Sequence, residues 1–453
     1  SDVGFREESI PTLKSLAERD AVGVMLIVCK RPQLFQQAID SVLKADRDPQ
    51  KFPIIISQDD FDQAMTRVVE DEYVRTGLAF HMHHAHDPQA RSVARKFGGT
   101  KTTLGYVYIA QHYGYIMKTM FEEIGFNQLI FLEEDLQVSP DFFSYFGAML
   151  PILRADKDLY CVSAWNDNGA EKLVKSPEEL FRTDFFPGLG WMMEKSMWNE
   201  VRDRWASAFW DEFMRRKDVR KDRRCIRPEI SRTYTGGYQK GQGTSGGQFK
   251  DHLKGIMLNT VPVNWAQKDV DFLSSTWKFE HFLRERLRAA REIKYTDDVL
   301  AMASSPHDEL RIAYEDKPDV WETINEGAAC ETNSEGIKKM MGKAGHKLDT
   351  CKALCSSTVN CMAIDYFKST KWCNLFNAAC KNPQRIADGS SSYRRQVEPN
   401  ADPPYRLLAK HFFLMPDEKE GIRRMSYRGV IPFVWQDRHV FLYTRNWPEG
   451  LKG

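Results

Sequence analysis

The stretch QLIFLEEDLQVSPDFF, Gln128 to Phe143, joins a rigid apolar element to a cluster of acids, the combination that a charged-ligand site needs. Leu129 to Leu132 form a short apolar run with β-branched and aromatic members, which reads as a strand buried on both faces. Glu133, Glu134 and Asp135 follow with no basic residue between them, and three carboxylates in one turn repel unless a cation sits among them. Oxygen-only ligands favour a hard ion such as Mg²⁺ or Mn²⁺, which keeps waters and accepts phosphate oxygens as further ligands. The carboxyl end of a buried strand is also where open α/β sheets place ligands. The alternative is an acidic turn capping the strand, with Ser139-Pro140-Asp141 starting the next helix.

The elements that must carry this cluster repeat one pattern. Residues 1–20 are polar and read as a lead-in, and Val22 to Val28 is a buried-strand run followed by Cys29-Lys30-Arg31-Pro32 and a helical pattern through Leu43. Pro53 to Ser57 is the next strand, ending at Gln58-Asp59-Asp60, and a weaker strand falls around Leu78 to His81. Strands alternating with helices of this length indicate an α/β fold with a mainly parallel sheet built from βαβ units. The strand-end clusters Cys29 to Arg31, Asp59, and Glu133 to Asp135 would then share one edge. Neither G-x-G-x-x-G nor G-x-x-x-x-G-K-[ST] occurs, so a dinucleotide fold or P-loop has no motif support.

Composition bounds the rest. The 453 residues suffice for two or three domains with real cores. Lysine plus arginine (64) nearly equals aspartate plus glutamate (63), which argues against a polyanion binder. The run RRKDVRKDRR, Arg215 to Arg224, holds aspartates and no aromatics, so it reads as a solvated segment rather than a nucleic-acid patch. No apolar run approaches the roughly 18 residues of a membrane span. The chain starts at Ser1, as a trimmed chain lacking its targeting segment would. Of nine cysteines, Cys330, Cys351, Cys355, Cys361, Cys373 and Cys380 crowd into one segment, which reads as a disulfide framework formed in an oxidising compartment. A zinc module is the alternative, but paired C-x-x-C spacing is absent and His346 is the segment's one histidine.

The stretches HYGYIMKTMF, LEEDLQVSPDFFSYF, LYCVSAWNDNG, FRTDFFPGLGW, FWDEFMRR, CIRPEISRTY and SYRGVIPF occur in this order. Together they resemble glycosyltransferase family 13, from about Val22 to Trp265 and again from about Tyr405 to Val440. The resemblance implies a GT-A type nucleotide-sugar fold and Mn²⁺-dependent, inverting transfer of N-acetylglucosamine from UDP-GlcNAc to a mannose 2-hydroxyl. It implies a Golgi-lumen setting behind an N-terminal anchor. By motif position it makes Asp135 the Mn²⁺ ligand, Glu134 the ribose contact and Glu133 the contact to the transferred sugar. Arg31, Asp59 and His112 match nucleotide contacts, Asp59 at the uracil edge; Ser245, in GTSGGQF, matches a loop closing over the diphosphate. Leu189 and Trp210 match positions around the sugar, and Asp211 matches the catalytic base. Taken alone, Arg31 reads equally as a surface charge, Asp59 as a strand cap, His112 as a core histidine and Asp211 as a helix-face acid pairing with Arg215 or Arg216. The family usually carries Glu-Asp-Asp where this chain has Glu-Glu-Asp, a variant that a branch acting on O-linked mannose shares. Retention of WNDNG, TDFFPGLGW and RPEISRT favours the N-glycan acceptor, an α-1,3-linked mannose of a high-mannose glycan.

Cys161 and Cys225 match a family disulfide, and Cys29 is expected free because Asp60 stands where its partner would be. The pattern CKALCSSTVNCMAIDYF with KWCNLF resembles a PAN or apple module, which implies the pairs Cys330–Cys380, Cys351–Cys373 and Cys355–Cys361. The expected organisation is a lead-in at 1–20, a catalytic domain at 21–325 and 399–453, and an inserted module at 326–398 with a glycoprotein or carbohydrate partner. A module serving recognition on a scaffold that had lost catalysis is the competing reading, against which stand both Asp135 and Asp211.

Overall fold

Gly23–Val28 (β1) has no exposed residue, so both its edges and both its faces must be covered. Its edges pair in parallel with Ile54–Asp59 (β2) and Gln128–Glu133 (β4), and β2 pairs in parallel with Phe80–His84 (β3). The computed structural model describes residues 6–236, 250–295, 309–315, 319–331, 337–358, 360–387, 389–396, 402–445 and 447. Chain order brings next Leu136–Val138 (β5), Leu159–Ser163 (β6), Leu180–Thr183 (β7), Trp191–Glu194 (β8), Arg224–Pro228 (β9) and Thr233–Thr235 (β10). The large sheet runs β3-β2-β1-β4-β8-β6-β9-β7. It is parallel across β3, β2, β1 and β4, and β8 then runs antiparallel to both β4 and β6. The switch to an antiparallel strand beside β4 is what lets the PGLGW segment lead into β8 next to the acid cluster.

Local signals set the helices. Pro32 opens the helix Pro32–Lys44, where its missing N–H costs nothing. Thr100 caps Lys101–Met117 by accepting from the Thr103 amide at 3.1 Å. Leu129 and Phe131 pack with Met117, Phe121 and Phe126 in the main core. Asp141 does more than start a helix: buried, it accepts from Arg232, Asn259, Trp265 and Ser139. Cys161 and Cys225 face each other on β6 and β9 and form a disulfide.

The chain forms two compact units, Ser1–Arg288 with Glu418–His439, and Ala289–Asp417 with Val440–Gly453. In the first, Glu418–His439 belongs with the large sheet: Ser426 O accepts from the Asp184 amide and from Thr183 Oγ1, and Arg424 pairs with Asp167 at 3.0 Å. In the second, Leu310–Tyr314 pairs in parallel with Val440–Thr444. The cysteine-rich segment builds an antiparallel sheet from Val320–Asn325, Ser390–Gln396, Ala363–Phe367, Trp372–Phe376 and Lys339–Lys343, in that order. The sheet starts at Val320, ahead of the expected start at 326, because Val320 and Gln396 are paired where the chain enters and leaves. The helix Leu348–Ser356 lies over a small core in which cystines do the work of larger apolar side chains. The bonds are Cys330–Cys380, Cys351–Cys373 and Cys355–Cys361. Among the described residues no helix is long and apolar enough to cross a membrane.

Candidate active site

Because β2, β1 and β4 are parallel neighbours, their carboxyl ends deliver Asp59, Cys29 to Arg31, and Glu133 to Asp135 to one edge of the sheet. The cation among the acids is Arg31. Its Nε forms a close ion pair with Glu134 Oε1, and its Nη1 lies 3.3 Å from Asp135 Oδ2. Glu134 is buried, and its second oxygen accepts the Cys29 amide at 2.8 Å, so this side chain fixes the loop after β1. Burial works against the Arg31 charge, but Asp135 and Glu134 outweigh it and raise its pKa. The compensation is incomplete. Burial, with repulsion from Asp135 and Asp211, pushes Glu133 up to about 7 against the pull of Arg31 and a 3.2 Å hydrogen bond from Tyr113. Surplus negative charge on oxygen donors is a fit for a hard divalent cation.

Asp59 ends β2 in a histidine clamp. His84 Nδ1 and His86 Nε2 lie 2.7 and 2.9 Å from its two carboxylate oxygens. Burial favours the neutral acid, yet those bonds and the nearby His112 hold the carboxyl below its usual range. His112 is enclosed, its Nε2 2.7 Å from Ser57 Oγ and its ring stacked on His84 at 5.1 Å. It therefore reaches the strand ends through Ser57 and His84 rather than by a surface of its own, and burial pushes it down to about 3. Cys29 is a free, half-buried thiol that burial, then Asp59 and Glu134, push up to about 12, which makes it inert as a nucleophile.

Asp211 sits in the first turn of Trp210–Arg215, and Arg215 Nη1 donates to its Oδ2 at 2.7 Å. Arg215 is itself buried, held by the Phe186 carbonyl and by the face of Phe185. The expected solvated run is thus corrected: Arg215, Arg220 and Arg224 turn inward, Arg224 onto Asp184 at 3.1 Å. An aromatic stack positions the helix. Trp210 lies on Tyr113 at 4.1 Å and on Trp191 at 5.6 Å, and Trp191 lies on Phe131 of β4 at 4.8 Å. Leu189, at φ +49°, stands between Gly188 and Gly190, which also have positive φ. Its carbonyl accepts from Thr233 Oγ1 at 2.6 Å. Positive φ is unstrained at the two glycines, so the strain of this turn falls on Leu189. Ser245 lies outside the described residues; the last described residue before it, Gly236, donates its amide to the Asp135 carbonyl at 2.9 Å.

The same stretches carry the chain's relationships. A model of the GNT-I family matches residues 2–340. Alpha-1,3-mannosyl-glycoprotein 2-beta-N-acetylglucosaminyltransferase of Arabidopsis thaliana is 34% identical over 337 residues, 74% of this chain and 73% of its own. The chain belongs to the GNT-I family. Solved structures similar to this GNT-I family chain include GalNAc-T7 with UDP, GalNAc and Mn²⁺, at 15% identity and TM-score 0.31, covering 50% of this chain and 46% of that one. The mannosyltransferase PcManGT of Pyrobaculum calidifontis, in complex with GDP-Man and Mn²⁺, is 11% identical with TM-score 0.27, covering 49% and 62%. At these scores they carry no argument about the present site.

Sequence reasoning missed Tyr113, His84 and His86, whereas the pairing of Asp211 with Arg215 that it offered is present. Tyr113 stands beside His112 in HYGY and reads as core. The histidines were legible only as a density, four of the chain's eleven between His81 and His86, whose alternation sorts them to the two faces of a strand.

Proposed function

We propose that this GNT-I family chain transfers N-acetylglucosamine from UDP-GlcNAc to the 2-hydroxyl of the α-1,3-linked mannose of a high-mannose N-glycan, with inversion and with Mn²⁺. The observation that carries the reading is that Tyr113, which donates to Glu133 at 3.2 Å, also stacks on Trp210 at 4.1 Å, so that the acid cluster and the turn bearing Asp211 meet. Asp135 would hold the ion, which when bound supplies a Lewis acid for the diphosphate leaving group. Arg31, which pairs with Glu134 and Asp135, would contact the nucleotide phosphates. Asp59 and its histidine clamp bind the base, with His112 holding His84 in place, and Glu134 keeps the loop after β1 set for the ribose. Glu133, whose carboxyl pKa is raised by burial, contacts the transferred sugar.

Asp211 takes the proton from the acceptor hydroxyl as its oxygen attacks the anomeric carbon. General-base catalysis of this kind contributes about 10²–10⁴-fold. Arg215 fixes the carboxylate through one oxygen, and the Trp210 and Leu189 segments wall the sugar. Ser245 belongs to the loop expected over the diphosphate. The cysteine-rich segment is a PAN-like module that engages the acceptor glycoprotein, and four disulfides among the described residues suit the Golgi lumen. The test is UDP release from UDP-GlcNAc with Mn²⁺, with and without a five-mannose N-glycan. Acceptor-dependent release with a β-1,2-linked product is expected; turnover only with O-linked mannose would overturn the acceptor.

A further inference from the structure

The histidines on β3 face two ways. His84 turns to Asp59 and His112, whereas His81 and His83, two residues apart on the strand, share the other face. Their rings lie 4.1 Å apart. Glu70 reaches them from the π-helical turn Val69–Val74. One ligand atom from each of Glu70, His81 and His83 lies within 4.8 Å of the other two.

His81 Nδ1 is 2.6 Å from Glu70 Oε1, so the ring donates there and carries its lone pair on Nε2. That Nε2 and His83 Nδ1 are both buried without a hydrogen-bond partner, and His81 is only 4% exposed. Two unpartnered imidazole nitrogens beside a carboxylate are costly in an ordinary core. They are what a metal site needs, down to the carboxylate that orients a ligating histidine. Arg6 pairs with Glu70 Oε2, which leaves Oε1 to hold His81, and Phe61 stacks on His83 at 5.3 Å as a partial cover.

We propose that His81 Nε2 and His83 Nδ1, with Glu70 orienting His81 through Nδ1, bind a divalent transition-metal ion of the zinc class, at a site distinct from Asp135. Imidazole donors select zinc, cobalt or nickel over the manganese and magnesium that suit an all-oxygen cluster. Two ring nitrogens leave the remaining positions of the ion to water. Bound there, the ion pins the edge strand of the sheet to the helical segment that precedes it.

The experiment uses the full chain without a histidine tag, carrying Asp135→Asn so that the oxygen cluster does not compete, and stripped of metal by a chelator. Zn²⁺ uptake is measured by competition with a chromophoric chelator, and Co²⁺ by its visible absorption. One equivalent of Zn²⁺ is expected, with intense Co²⁺ bands of low coordination number. Affinity should fall at least ~10-fold in His83→Ala and Glu70→Gln, and stay unchanged in His86→Ala. Uptake that survives His83→Ala, or that disappears in His86→Ala instead, overturns the assignment. Should His83→Ala fail to fold, absence of stoichiometric uptake or of the Co²⁺ bands in the parent chain overturns it equally.

Discussion

The residue that the site turns on in the absence of ligand is Arg31. Its guanidinium answers Glu134 and Asp135, the role that the sequence alone assigned to a metal ion. Removing one partner of a largely buried ion cluster leaves charge uncompensated at a cost of about 3–5 kcal/mol. Arg31→Met should therefore lower the thermal midpoint of the metal-free chain and enlarge the upward shift that Mn²⁺ produces, as read by differential scanning fluorimetry. Equal midpoints with and without Arg31 would contradict this. A second prediction concerns Asp365, fully buried beneath the Cys330 and Glu331 amides that donate to it at 2.8 Å. Burial, aided by Glu331, pushes its pKa up to about 6, against an ordinary 3.8. The folded form therefore holds a proton that the unfolded form has lost, and stability falls as pH rises through this interval by roughly 2–3 kcal/mol. Exchange protection of the Cys330 and Glu331 amides, corrected for intrinsic rate, should drop between pH 4 and pH 6 and lose that slope in Asp365→Asn.

At the scale of elements, the strand–acid pattern made the central sheet legible: β1, β2 and β4 fall where apolar runs end in polar clusters. The acids at their ends were legible for the same reason, since few residue types concentrate charge after a buried strand without a use for it. What local pattern could not give was pairing across the chain. The antiparallel β8, the clamp of Asp59 by His84 and His86, and the stack from Phe131 to Tyr113 depend on partners tens of residues apart. The glycines of PGLGW suggest a turn but not its tightness. A Cβ on Gly190 would stand 2.5 Å from Thr233 Cγ2, at φ +90°. Gly190→Ala should destabilise the chain by about 1–3 kcal/mol, seen in denaturant unfolding, and lower turnover by displacing Leu189. A neutral outcome would mean that this loop does not hold the site.

At the scale of the molecule, the cysteine-rich segment enters and leaves through the paired residues Val320 and Gln396. Antiparallel partners stand only about 5 Å apart, so a short glycine linker spans the gap left by removing 320–396. The deleted chain should keep its turnover on a free five-mannose glycan and lose efficiency on glycoprotein acceptors, read as KM for the two substrate forms. Unchanged kinetics on both would remove the recognition role from the module. The role of Asp211 as the base is tested most sharply by Mn²⁺-dependent UDP release with the five-mannose acceptor in wild type and in Asp211→Asn. A loss of about 10²–10⁴-fold in kcat is expected, with Mn²⁺-dependent UDP binding intact. Turnover within a few-fold of wild type in a variant that binds UDP normally would contradict it.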